Sequence, residues 1–361
     1  MSEVDRPGAD ARGPRCRGVN PLHEADDIVC RIEGAVRESS GHDHHVQFID
    51  VIKRACRLER ELSGVIMWGA GGATDVVARA VAPMAEEALG KKIVMQNRSG
   101  GSGAISTNFV NQQPSDGYTL LLGAENPQLH GVLGLGDLDY SKFYPVNILG
   151  RGIVVIVANK DKPWKSFKDL LADIQANPGK VKMGSTGPGG LPHSVGSMIG
   201  TVTKMPVTAV PFDGEGPGLT ALQGGHVDFM PVGLGAASEH IKAGRVKAIA
   251  VLSSQPYEGI PALTGDLPAI GKYLPWGPFY GVFVKRDVPD AVKARLTAAF
   301  KTAASNPKFV DLMVGRGNAV MNISGAEADA FLKKWQSVTA WTLQEAGVAK
   351  RSPADLGIAR P

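Results

Sequence analysis

One stretch limits what this chain can fold into. In residues 64–89 a short apolar run, a glycine turn and a helical pattern follow one another. Residues 64–68 (GVIMW) are apolar without interruption, which reads as a buried strand. Residues 69–72 (GAGG) form a tight turn. Residues 74–89 then carry Val77, Ala80, Val81, Met84 and Ala88 at helical spacing, and Gly90 stands where a left-handed C-cap belongs. A strand that feeds a helix through glycine leaves the first N–H groups of the helix without intrahelical partners, a place suited to an anion. Thr74 or Asp75 is expected to cap that helix.

Composition narrows the class. The chain is 43% hydrophobic over 361 residues, enough for one large or two medium domains with real cores. Glycine, at 45 residues, suits an α/β protein with many tight turns. The formal charge of +4 comes without a basic run or an aromatic–basic stripe, so nothing argues for nucleic acid. Cys16, Cys30 and Cys56 all precede the first strand, so the body uses neither thiol nor disulfide, compatible with cytoplasm or periplasm. No run approaches the length of a membrane span, and the N-terminus shows no apolar core of a signal peptide.

Residues 1–60 differ from the rest. Residues 6–20 are rich in Arg, Gly and Pro and are expected to be disordered. His42, His44 and His45 cluster around Asp43 without the scaffold of a metal site, so a polar loop is the plainer reading and no metal is expected. Residues 48–62 have the pattern of a short amphipathic helix. After the first strand–helix unit come a strand over 92–96, a glycine turn over 97–103, a helix over 104–111 and a strand over 118–122. Such alternation predicts an open parallel sheet, with ligands beyond the carboxyl ends of its strands. Residues 153–157 (IVVIV) read as a central strand, and residues 160–164 as the crossing to a second lobe.

A second β–α series follows, with strands over 181–184, 207–211, 227–231 and 246–252. Residues 273–281, aromatic and proline-rich, lead into a return strand over 282–284. Helices over 289–304, 306–314 and 325–344 are expected to close the first lobe. The organisation expected is therefore an extension over 1–60, a first lobe from 61–160 plus 282–361, and a second lobe over 161–281 that includes the return crossover. Two lobes joined by two linkers make a cleft and a hinge.

Two glycine loops at helix starts, one per lobe, carry the functional signal. Gly71, Gly72 and Thr74 belong to the first; Ser185, Thr186, Gly187 and Gly189 belong to the second. Facing each other, they would grip a carboxylate or phosphate through backbone donors and hydroxyls, each charge-assisted bond worth about 1.5–3 kcal/mol. The same glycines also serve plain tight turns. Neither loop is a nucleotide motif: Thr74 stands where G-x-G-x-x-G needs its third glycine, and no P-loop lysine follows Gly190. Asp75 either takes a ligand amine or caps its helix. His193 either donates to an anion or packs between lobes. Asp213 and Glu215 either read a polar ligand group or sit solvated in their loop. Asp228 reads as a structural acceptor. Trp276, Phe279 and Tyr280 cover the ligand or pack the hinge. An acid–base pair of Asp75 and His193 is the best catalytic option, but nothing supplies an activated nucleophile, so no catalytic residue and no cofactor are expected.

Taken together, these stretches resemble the substrate-binding proteins of tripartite tricarboxylate transporters, a family of bacterial periplasmic solute receptors. The resemblance rests on residues 71–75 (GGATD) with Ala78 and Arg79, on Asn97 and Arg98 with residues 100–103 (GGSG), and on Pro114 with residues 116–120 (DGYTL). It extends to Ser185, Thr186, Gly187, Gly189 and His193, to residues 210–214 (VPFDG) through Leu222, Gly225, Val227 and Asp228, and to Trp276, Gly277 and Gly281. It implies an α/β Venus-flytrap fold of type II, each lobe an open sheet flanked by helices, with two crossovers. It implies a small carboxylate-bearing solute held by the two glycine loops, with polar contacts at Asn126, Asp213 and Gly214, and delivery to membrane permease subunits from the periplasm; Gly123, which opens the loop beyond the third strand, is expected at the ligand from its place at a strand end. An acid–base enzyme or transferase using the same cleft, and a receptor docking on a membrane sensor kinase, are the alternatives. Two features depart from the pattern. Residues 1–60 stand where a signal peptide is expected, and read as an appendage or as sequence upstream of the true start. Glu125 enters the loop after the third strand, where it repels a dicarboxylate unless it points away or meets a ligand cation.

Overall fold

The computed structural model describes residues 60–361. The three cysteines, the histidine cluster and nearly all of the helix expected over 48–62 lie outside the described residues. Leu62, the last residue of that expected helix, instead opens a strand.

β1 (Leu62–Ile66) turns through glycine into α1 (Ala73–Leu89), followed by β2 (Ile93–Asn97), α2 (Ala104–Asn111) and β3 (Thr119–Gly123). The cap of α1 corrects the sequence reading. Gly72 is the N-cap and no side chain caps it, because Thr74 and Asp75 already lie within the first turn. Gly90 closes the helix at φ 65°, as expected for a left-handed C-cap, its N–H reaching the carbonyls of Glu86 and Glu87. β4 (Phe143–Gly152) completes the first pass, and β5 (Val154–Asn159) begins the second.

The second sheet gathers α3 (Phe167–Ala176), β6 (Lys182–Ser185), α4 (Leu191–Gly200), β7 (Thr208–Pro211), α5 (Glu215–Gln223), β8 (Phe229–Gly233), α6 (Leu234–Lys242) and β9 (Val246–Val251). Ser166 caps α3 in a reciprocal capping box with Asp169. The chain then returns through β10 (Phe279–Lys285), α7 (Asp290–Ala304), α8 (Pro307–Gly315), β11 (Asn318–Ile323) and α9 (Gly325–Glu345).

The strand orders are β11-β4-β10-β3-β1-β2 and β7-β6-β8-β5-β9. The first sheet is parallel only across β3, β1 and β2. The return strand β10 inserts antiparallel between β3 and β4, and β11 adds antiparallel to β4, so the sheet is mixed. β5, buried along its whole length, pairs with β8 and β9 of the second sheet. The chain therefore crosses at Ile153, not over 160–164, where Asp161 N donates to Asn159 Oδ1 (2.9 Å) in a turn that merely leaves β5. The two crossovers lie side by side, Gly152 N donating to Pro278 O at 2.8 Å.

α9 is not confined to the first lobe. Trp335 Nε1 donates to Gly277 O (3.0 Å) and Trp276 Nε1 to Thr339 Oγ1 (2.9 Å), so the last helix clamps the return crossover. Phe279 packs edge-on against Trp335 and Phe331. Two buried apolar clusters each draw side chains from both sheets, which places the cleft between continuous cores rather than between separate ones.

Candidate functional site

The turn after β1 is tied from below. Asp75 Oδ2 accepts from Gly71 N (3.0 Å), and Oδ1 accepts from Arg79 Nε (2.8 Å) and Asn97 Nδ2 (2.9 Å). Asn97 Nδ2 also donates to Trp68 O at 2.8 Å. Asp75 is thus a brace that holds Gly71 at φ +80° and joins the turn to the end of β2. Every oxygen of its carboxylate has a partner within the first lobe. Gly71 contributes no free donor, whereas Gly72, Ala73 and Thr74 face the cleft.

Across the cleft lies the loop before α5. Gly69 N donates to Asp213 O at 2.8 Å, and Ala73 N donates to Glu215 Oε2 at 3.1 Å. A methyl group at Gly216 would run into the carbonyl oxygen of Ala70, and one at Gly214 would lie 2.9 Å from Gly69 N. Backbone thus meets backbone, which only glycine permits at this approach. Asp213 takes part through its carbonyl while its side chain is exposed. Gly214 is buried under Trp68.

The loop after β6 folds on itself. Gly187 N donates to Ser185 Oγ (3.3 Å) and Gly189 N to His193 Nδ1 (3.2 Å), with Gly187 and Gly189 at φ +84° and +76°. Burial holds the His193 imidazole below its ordinary pKa. Asp75 and His193 each answer to their own loop, so the acid–base pair considered from sequence is not assembled. Asn126 is fully buried near Gly189, with neither side-chain polar atom partnered. Gly123 pairs with Gly281 and lies against the hydroxyl of Tyr140, away from the cleft lining.

Between these loops the lobes enclose a cavity of about 20 Å³, room for about one water molecule. The first lobe supplies Gly72, Thr74 and Glu125, the second supplies Thr186, Leu191 and Glu215, and the return crossover supplies Pro278 and Tyr280. The structure thus brings together Gly72, Thr74 and Thr186 from the sequence-predicted set. Asp75, Gly123, Ser185, Gly187, Gly189 and His193 stand behind the lining as supports.

Two carboxyl groups dominate the electrostatics. Burial raises the Glu125 pKa from 4.5 to about 8; the nearby Glu215 charge adds to this, while the N–H groups of Glu125 itself and of Phe279 oppose it. Glu215 is partly exposed as a residue, yet its carboxylate is surrounded by protein atoms. Burial raises its pKa, opposed by the N–H groups of Gly233 (2.7 Å to Oε1) and Ala73. The Tyr280 hydroxyl, pushed well above its ordinary range by burial and by both carboxyl groups, has no partner. In the sequence Glu125, Glu215 and Tyr280 each carry a plain alternative reading. An acidic residue in the first turn of a helix reads the same whether it faces its own helix or another lobe. Among the described residues no group of three His, Cys, Asp or Glu side chains is arranged for a metal, and no helix is long and apolar enough to cross a membrane.

Residues 77–343 match the model of the tripartite tricarboxylate transporter family receptor. Protein BugT of Bordetella pertussis is 26% identical over 301 residues, covering 82% of this chain and 90% of BugT. The solved structure of the periplasmic binding protein BugD superposes with a TM-score of 0.77 at 27% identity, over 82% of this chain and all of BugD. MatC from Rhodopseudomonas palustris with bound malate shares the fold, with a TM-score of 0.72 at 24% identity over 80% of this chain and all of MatC.

Proposed function

Because the chain belongs to the tripartite tricarboxylate transporter receptor family, we propose that it captures a small carboxylate-bearing solute between its lobes in the periplasm and hands it to the membrane subunits of such a transporter. The family is one of solute receptors, and the two-sheet fold is that of periplasmic binding proteins. The observation that carries the reading is the meeting of both lobes at one enclosed space. The start of α1 (Ala73, Thr74) and Thr186 line the same cavity from opposite sides. Threonines from both lobes suit the carboxylate of an organic acid, and a malate-bound protein of the same fold supports the ligand class. The cavity is too small for any organic acid as the lobes stand. Entry therefore requires the lobes to part, and the solute's contacts to both sides favour reclosure.

The test is a thermal-shift screen of the full chain against single organic acids. A receptor gains stability by mass action, about 2.7 kcal/mol at a hundredfold excess over Kd. The expected result is a saturable shift for one acid or a few, reduced by Thr186→Val and by Thr74→Val. A cooperatively melting protein that responds to no acid refutes the reading.

A further inference from the structure

Glu125 and Glu215 come from opposite lobes and line the same cavity, and among the described residues no Lys, Arg or His lines it with them. Their situations differ. Glu215 has both oxygens bonded, Oε2 to Ala73 N (3.1 Å) and Oε1 to Gly233 N (2.7 Å). Ala73 opens α1 and Gly233 is the N-cap of α6, so the protein's own carboxylate occupies the anion position that two helix starts create. Glu125 is 3% exposed and its Oε2 has no partner; Tyr280 is 2% exposed and its hydroxyl has none. Buried polar atoms are normally satisfied, and one left open in a cavity wall is a contact awaiting its donor.

A further carboxylate brought to this end of the cavity would meet the Glu215 carboxylate and no cation. An ammonium group placed here favours the ionised form of Glu125 and finds Oε2 and the Tyr280 hydroxyl as acceptors, with the Glu215 charge beside them. Thr74 and Thr186 are left for the carboxylate of the same molecule. Granting that the chain is a solute receptor, we propose that its solute is a zwitterion, an organic acid bearing a positively charged nitrogen, and that Glu125, Glu215 and Tyr280 select the nitrogen against a second carboxylate.

The test is titration calorimetry of the full chain with matched probes in which an amine is present or absent, or replaces a carboxylate: aspartate against succinate, glutamate against glutarate, 4-aminobutyrate against glutarate, and leucine against 4-methylpentanoate. The inference expects the tightest binder to be an amine-bearing member, at least tenfold tighter than its partner. Glu125→Gln should weaken that binder tenfold or more and narrow or reverse the preference over the dicarboxylate. Tyr280→Phe, which keeps the ring, should weaken it several-fold. Unfolding curves establish that each variant is folded before it is titrated. A wild-type preference for the amine-free member, unchanged in Glu125→Gln, overturns the inference and leaves the receptor reading intact. Binding of no acid of either kind overturns both.

Discussion

The turn after β1 and the turn after β6 are written alike, as strand, glycines and helix start, and they are stabilised in opposite ways. The second satisfies itself: Ser185 and His193 accept the N–H groups of Gly187 and Gly189 within a few residues. The first is braced by Asp75 but finished only by the other lobe, where Asp213 O and Glu215 accept from Gly69 and Ala73. The second loop thus draws these hydrogen bonds from within itself, while Gly187 and Gly189 pack against Ser102 and Leu133 of the first lobe. The first, together with the carboxyl groups of Glu125 and Glu215, registers closure. The contrast extends to pH. The first region holds a buried acid whose ionisation is disfavoured, the second a half-buried imidazole whose protonation is disfavoured.

The largest effect expected from this contrast is at Glu125. Its carboxyl has an ordinary pKa of 4.5 and is raised to about 8 in the fold. Between these values the folded protein holds a proton that the unfolded chain has released, so stability falls as pH rises. The stabilisation is fully present below pH 4.5 and is lost as pH passes about 8. The loss is on the order of 5 kcal/mol. Glu125→Gln removes the ionisation and keeps the shape. Urea unfolding at pH 5, 7 and 9 should show a much flatter profile for the variant, with its advantage over wild type greatest at pH 9. Parallel profiles would break the contrast, because they would mean that Glu125 is hydrated in the closed protein.

Next comes Gly216, where the lobes touch backbone to backbone. Gly216→Ala lies in α5, where alanine by itself favours the helix by about 0.5–1 kcal/mol. Across the cleft its methyl group would strike the Ala70 carbonyl oxygen. Overpacking of this kind costs about 1–3 kcal/mol, roughly five- to a hundredfold in affinity. The expectation is weaker binding of whichever acid the thermal screen identifies, without loss of thermal stability in the free protein. Small-angle scattering of the free variant should show a wider molecule. Unchanged affinity would mean that the bound form does not bring these two loops together as the structure has them.

Much of the fold was legible because its signals are local. The run from Leu62 through Gly90 carries its own strand, turn, helix and cap, and Ser166 announces α3 three residues ahead of its capping partner. β4 was not legible: Pro145 and Asn147 interrupt it, and a proline normally argues against a central strand. It is tolerated where β10 shifts register, between Val282 and Phe283, opposite Asn147 and Pro145. The insertion of β10 between β3 and β4 follows the entire second sheet and has no local trace, so the first sheet read as parallel. The site divides in the same way. Gly72, Thr74 and Thr186 declare themselves through glycine and hydroxyl at a helix start. Glu215 does not, since only closure turns an ordinary first-turn acid into the partner of another lobe's helix.

The smallest effect tests the self-contained loop. His193 Nδ1 accepts from Gly189 N at 3.2 Å, and burial alone lowers the imidazole pKa. Where the folded protein leaves the ring neutral and the unfolded chain protonates it, stability is complete above the ordinary value of 6.5 and is lost as pH falls below it. His193→Phe removes both the acceptor and the titration. At pH 8 the variant should be less stable by about 1 kcal/mol, the net worth of one hydrogen bond. Toward pH 5 the deficit should shrink, because wild type pays the protonation penalty and the variant does not. The alkaline slope set by Glu125 should be the same in both proteins. If His193→Phe instead changes the alkaline slope, the two regions are coupled, and the loop after β6 reports closure as the loop after β1 does.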